Sequence, residues 1–121
     1  MALGISAAGA NTALDAIRTD TPFIQLHVGD PGASGTANLA TETTRKAVTF
    51  GAASGGSMTN TVAVSWVGIA GSQDATHFSI FNASSAGTFK FSGLITANAY
   101  TAGDTYTAAI SAITLSISVA A

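Results

Sequence analysis

The sequence predicts an all-β domain, a compact antiparallel β-sandwich of jelly-roll-like form with about 7–8 short strands and a short N-terminal helix. Three observations carry that expectation. Residues 58–67 (MTNTVAVSWV) alternate strictly: Met58, Asn60, Val62, Val64 and Trp66 fall on one side of an extended chain, Thr59, Thr61, Ala63, Ser65 and Val67 on the other. Further alternating stretches are separated by Gly-, Asp- and Ser-bearing turn signals at regular intervals. Helical spacing appears only near the start, and no fixed-period repeat points to a solenoid or propeller.

The elements follow in order. Within residues 1–20, Ala10, Leu14 and Ile17 share a helical face, Ser6 or Asn11 can cap the start, and Pro22 disfavours continuation. This segment is expected to pack on the domain or on a neighbouring subunit. Residues 21–121 form the single β-sandwich domain. Residues 23–28 (FIQLHV) read as a strand, and 29–32 (GDPG) as a turn. Residues 33–44 lack a period and read as a surface loop of the length that carries contacts. Neither this loop nor the helix has many large apolar residues, so both are expected to order at contacts between chains.

Residues 45–50 (RKAVTF) return as a strand, and 51–57 (GAASGGS) lead flexibly into 58–67, which is expected to be the central strand. Residues 76–82 (THFSIFN) and 88–97 (TFKFSGLITA) follow, the latter bulged at Gly93 so that Phe89, Phe91 and Leu94 face inward. Tyr106, Ala108 and Ile110 open the last region. There Ile113, Leu115, Ile117 and Val119 alternate with Thr114, Ser116 and Ser118, a run without Pro or Lys that would invite another chain if it lay at an edge.

Composition narrows the function classes. At 121 residues the chain can bury roughly two-thirds of its unfolded surface as one domain, without the help of cysteine, which it lacks. Only 8% of residues are charged, against a usual ~25%, and the net charge is −2. Four scattered basic residues do not make a nucleic-acid surface. No apolar run approaches the ~20 residues of a membrane helix, and no secretory signal is expected.

Catalytic motifs are equally thin. His27 and His77 are the candidates for a metal pair or a general base, yet each lies inside an expected strand with no ligand at metal-binding spacing. No serine occupies a Gly-x-Ser-x-Gly elbow, and most carboxylates sit in turns or at the helix end, where backbone hydrogen bonding accounts for them. No catalytic residue, cofactor or metal site is expected. For binding, the 33–44 loop and the Tyr100 and Tyr106 pair flanking the 101–104 turn are the candidate surfaces. Asp30, Leu39, Arg45, Tyr100 and Tyr106 are the candidate contact residues.

Three segments together carry a resemblance. They are LHVGDPG (26–32), TRKAVTFG (44–51), and the later set of Thr76-His77, AGTF (86–89) and AGDT (102–105). In this order the chain resembles small tail-fibre-like or minor structural, decoration-type virion proteins of actinobacterial bacteriophages. The resemblance implies a non-enzymatic virion protein, assembled in the host cytoplasm and repeated by symmetry on the particle as a tail-associated or capsid-decorating part. Its implied partners are itself, with a trimer favoured, and other virion proteins. A carbohydrate- or receptor-binding module is the alternative.

Overall fold

The computed structural model describes residues 3–120, the side chains of residue 73 and residues 96–100 excepted. It is a β-sandwich-like domain with a short N-terminal helix. The helix α1 spans Ala7–Arg18, capped by Ser6, whose hydroxyl accepts from the Gly9 amide at 3.0 Å. Asn11, the other expected cap, lies inside the helix and accepts from the Gly56 amide at 2.9 Å. Asp15 likewise accepts from the Ala53 amide, and that bond, with Arg18 beside it, holds its carboxyl below the usual pKa. Ala10 and Leu14 are fully buried. Polar bonds and one apolar stripe therefore tie α1 to its own domain.

A four-stranded antiparallel sheet has the order β2-β1-β5-β6, from β1 (Phe23–His27), β2 (Lys46–Ala47), β5 (Gln73–Phe81) and β6 (Phe89–Tyr100). Two antiparallel pairs complete the fold: β3 (Ser57–Thr59) with β8 (Thr114–Ser116), and β4 (Val64–Trp66) with β7 (Tyr106–Ala108). Their apolar faces meet in one core that includes Leu14, Ile24, Leu26, Met58, Trp66, Phe78, Ile80, Ile113 and Leu115.

The 58–67 stretch is not one central strand. It divides into β3 and β4, in different sheets, because Asn60 turns the chain: its side-chain amide donates to the Val62 carbonyl two residues on, at 3.0 Å. The inward face otherwise holds, with Met58, Asn60, Val64 and Trp66 buried, while Val62 at the turn is thrown to the surface. The centre of the main sheet belongs to β1 and β5, each paired on both sides.

The 45–50 strand is similarly divided. Lys46–Ala47 pair with β1, whereas Thr49 and Gly51 bond to Thr61 and Thr59, so the chain crosses from one sheet to the other at a corner.

Gly93 does not mark a bulge. It pairs in regular register with Phe78, and the register shifts lie on either side, between Ala75 and His77 and between Ile80 and Phe81. Gly93 is required because a Cβ there would stand 2.9 Å from the Phe78 ring. Leu94 consequently faces out, 74% exposed, and Ile95 takes the inward position. The C-terminal run is paired along one side, and among the described residues no strand is hydrogen-bonded to the other side of β8. β8 is held by β3, Ile117 donates to the Gly56 carbonyl, and the Ala120 amide bonds to Ile5.

Candidate functional site

The loop over residues 28–45 is the largest non-repetitive segment, and it lies across the polar side of the main sheet. In β1 the alternation Ile24-Gln25-Leu26-His27 sends Ile24 and Leu26 to the core and Gln25 and His27 to the opposite side, yet all four are buried. The loop covers the second side. Gln25 donates to the Thr43 carbonyl at 3.2 Å and accepts from Arg45 Nε at 3.2 Å. His27 Nδ1 lies 2.8 Å from the Ala37 carbonyl, which can only accept, so Nδ1 carries the proton. His27 Nε2 then accepts from the Ser79 hydroxyl at 2.7 Å in the neutral ring.

Asp30 builds the loop's first turn, its carboxylate accepting from the Gly32 amide at 2.8 Å and its carbonyl from the Asn38 side chain. Gly35, at φ 72°, sits on the Phe89 ring, where a Cβ would clash at 2.4 Å. The Asn38 carbonyl accepts from Val28, and Ala40 donates to Leu26, so residues 38–40 run beside the free half of β1. Glu42, buried, accepts from the Ala70 and Thr44 amides. Trp66 Nε1 donates to the Thr44 carbonyl at 2.8 Å. The loop is thus strapped to its own sheet, contrary to the expectation that its chain-internal anchors would be too few.

Ser79 and His27 at hydrogen-bond distance, with a carbonyl orienting the ring, have the geometry of a nucleophile and base. Both are 0% exposed, so no substrate atom reaches the hydroxyl. Their role is to pin the loop to the sheet. His77 stands opposite His27 in the β1–β5 register but bonds to Thr76 through Nδ1. Among the described residues, no three His, Cys, Asp or Glu side chains form a metal-binding group.

The pinning has a pH signature. Burial first, then the neighbouring His77 and Arg45 charges, pull the His27 pKa below its usual 6.5, only partly offset by the Ala37 bond. Below pH 6.5 the unfolded chain takes up a proton that the folded chain resists. The stabilisation is therefore complete above that pH and declines as pH falls toward the lowered folded value. Urea midpoints between pH 8 and pH 5 (roughly the His range) should fall in the wild type and stay nearly level in His27→Gln. Parallel curves would remove His27 as the cause.

The candidate contact residues fall in different places. Asp30 and Leu39 are on the loop surface, Leu39 41% exposed. Arg45 is committed internally: besides Gln25 it donates to the Ala83 and Ala86 carbonyls, and its guanidinium lies 3.7 Å from the Phe81 ring centroid. The side chain of Tyr100 lies outside the described residues. Tyr106 is a core residue, not an exposed platform: it is 5% exposed and its ring stands 5.6 Å from that of Trp66. Its alternation with Ala108 in β7 is the signal for burial.

The fold extends over nearly the whole chain, and so does its likeness to a known family. A family model described as podophage GP4 fiber I protein gp80 matches residues 4–116. The chain belongs to this family of phage fibre proteins. Comparison with curated proteins gives no match. A fibre-family protein of this kind is a structural component of a phage particle. No helix among the described residues is long and apolar enough to cross a membrane.

Proposed function

We propose that this fibre-family protein is a non-enzymatic surface component of the virion, tail-associated rather than capsid-decorating, and present in repeated copies. The family match over residues 4–116 is the observation that carries this reading. The sealed Ser79–His27 pair supports the non-enzymatic part, because this nucleophile–base geometry is closed to substrate. Low charge supports close repetition, since a net charge of −2 leaves little repulsion between copies. Assembly takes place in the host cytoplasm, and the motif resemblance points to phages of actinobacteria and favours a three-fold arrangement. The exposed Asp30 and Leu39 are contact residues toward neighbouring virion proteins.

Imaging virions with this protein labelled tests the proposal. Label along the tail or its fibres is the expected result. Label over the capsid shell would replace the tail placement with decoration, and particles without label would overturn the virion role.

A further inference from the structure

The two edges of the main sheet differ. On the β1 side, β2 and residues 38–40 bond to the outer backbone groups, and Val48 adds a bond to Pro22. On the other side, among the described residues, no strand is hydrogen-bonded to β6. The direction of its backbone groups follows from the pairings. The Val28 amide and Leu26 carbonyl point away from β5, toward Asn38 and Ala40. Because these groups alternate along a strand, those of Gln25 and His27 point to β5, those of Phe78 and Ile80 to β6, and those of Phe91 and Gly93 back to β5. The N–H and C=O of Ser92 and Leu94 are left pointing outward at the open edge.

The open stretch is short and bounded. Register shifts bracket residues 91–94, and this piece is regular enough to accept a strand. It carries no charge, and the adjacent Lys90 is occupied by Asp20 at 3.4 Å. Leu94, on the same side as His77, presents an apolar side chain that is 74% exposed. Natural edges of this kind are usually blunted by charge or proline, and this one is not.

The geometry points to a second copy of this chain as the occupant, joined through β6 in antiparallel pairing about a two-fold axis at Gly93. In that register Ser92 faces Leu94 of the other copy and Leu94 faces its Ser92, so both outward residues on each chain exchange N–H···O bonds. The two Gly93 residues meet at the axis in a non-hydrogen-bonded pair, the closest approach in an antiparallel ladder, where absent side chains avoid a clash. The two Leu94 side chains become diagonal neighbours about 7–8 Å apart and cover one another. An uncharged stretch faces its own copy without like-charge repulsion, which favours self-pairing over a charged partner. The two main sheets become one continuous sheet. This pairing rests on the self-association proposed above but not on its three-fold symmetry.

Light scattering and sedimentation of the whole chain test it, at low and high salt. The wild type is expected to be a dimer with little salt dependence. Ser92→Pro removes an outward N–H without breaking an internal bond, and Leu94→Lys adds a charge at an exposed position. Both should be monomeric, with unchanged circular dichroism and Trp66 emission. A dimer that survives both substitutions, or a trimer indifferent to them, would overturn the edge pairing while leaving self-association standing. A wild-type monomer in all conditions would overturn both, and labelled virions would still report separately on the particle role.

Discussion

Trp66→Ala is expected to destabilise the domain by about 3–5 kcal/mol, the range for emptying a large aromatic site. Trp66 is 1% exposed and is held from two directions, by the Tyr106 ring at 5.6 Å and by its indole N–H on the Thr44 carbonyl. It therefore joins the β4–β7 pair to the end of the 28–45 loop, and truncation leaves a void that neither can fill. Since typical domains are stable by only ~5–15 kcal/mol, the variant sits close to unfolding. Trp66→Phe keeps most of the buried area and loses the hydrogen bond, so it should lie about 1–2 kcal/mol below the wild type. Thr61→Ala, at an exposed position, should stay within about 0.5 kcal/mol. Urea unfolding followed by far-ultraviolet circular dichroism measures all three, because the alanine variant has no tryptophan to report. A loss below about 1 kcal/mol for Trp66→Ala would show that the site collapses, contrary to the packing described.

Asn60→Leu should rank beside it, at about 3 kcal/mol or more, although it adds apolar volume to the core. Asn60 is 0% exposed and its side chain satisfies three backbone groups: it donates to the Val62 and Ala109 carbonyls and accepts from the Ile113 amide at 2.9 Å. A buried backbone group left without a partner costs about 1–3 kcal/mol, and leucine can serve none of the three. The same side chain ends β3 and fixes the entry to β8, so the β3–β8 pairing should loosen first. Hydrogen exchange at Asn60, Ser111 and Ile113, whose amides bond across this junction, reads that directly. Protection there equal to that of the wild type would contradict the role assigned to Asn60.

How far the sequence could be read differs by element. Local signals placed α1 and its Ser6 cap, the β1 segment and the 29–32 turn, because helical spacing, a capping hydroxyl and a Gly-Asp-Pro-Gly stretch act within a few residues. Period two also assigned the inward residues Met58, Val64, Trp66, Ile113 and Leu115. The same pattern could not show that Asn60 would spend its amide on its own chain and split the strand. That choice depends on the Ala109 carbonyl and Ile113 amide, about fifty positions away. Tyr106 departs from expectation for a related reason: a tyrosine beside a turn looks exposed until Trp66 arrives from another strand to pack against it.

The candidate surfaces show the same division. Gln25 and His27 alternate with apolar neighbours, which suits a half-exposed strand as well as one covered on both sides. Only the folded loop, laying Ala37 and Thr43 carbonyls over them, makes that face a buried polar layer. Nor can composition locate the open edge. By its alternation the C-terminal run looks most ready to pair with another chain, and folding gives one side of it to β3 and Gly56 and its end to Ile5. Unpaired backbone lies also at Ser92 and Leu94, on the open side of β6. Residue types determined by themselves that this chain would be β-rich, weakly charged and without metal-ligand spacing. Which backbone groups remain unpaired was decided by strand order alone, because a hydrogen bond in a sheet is made between segments that the chain brings together only on folding.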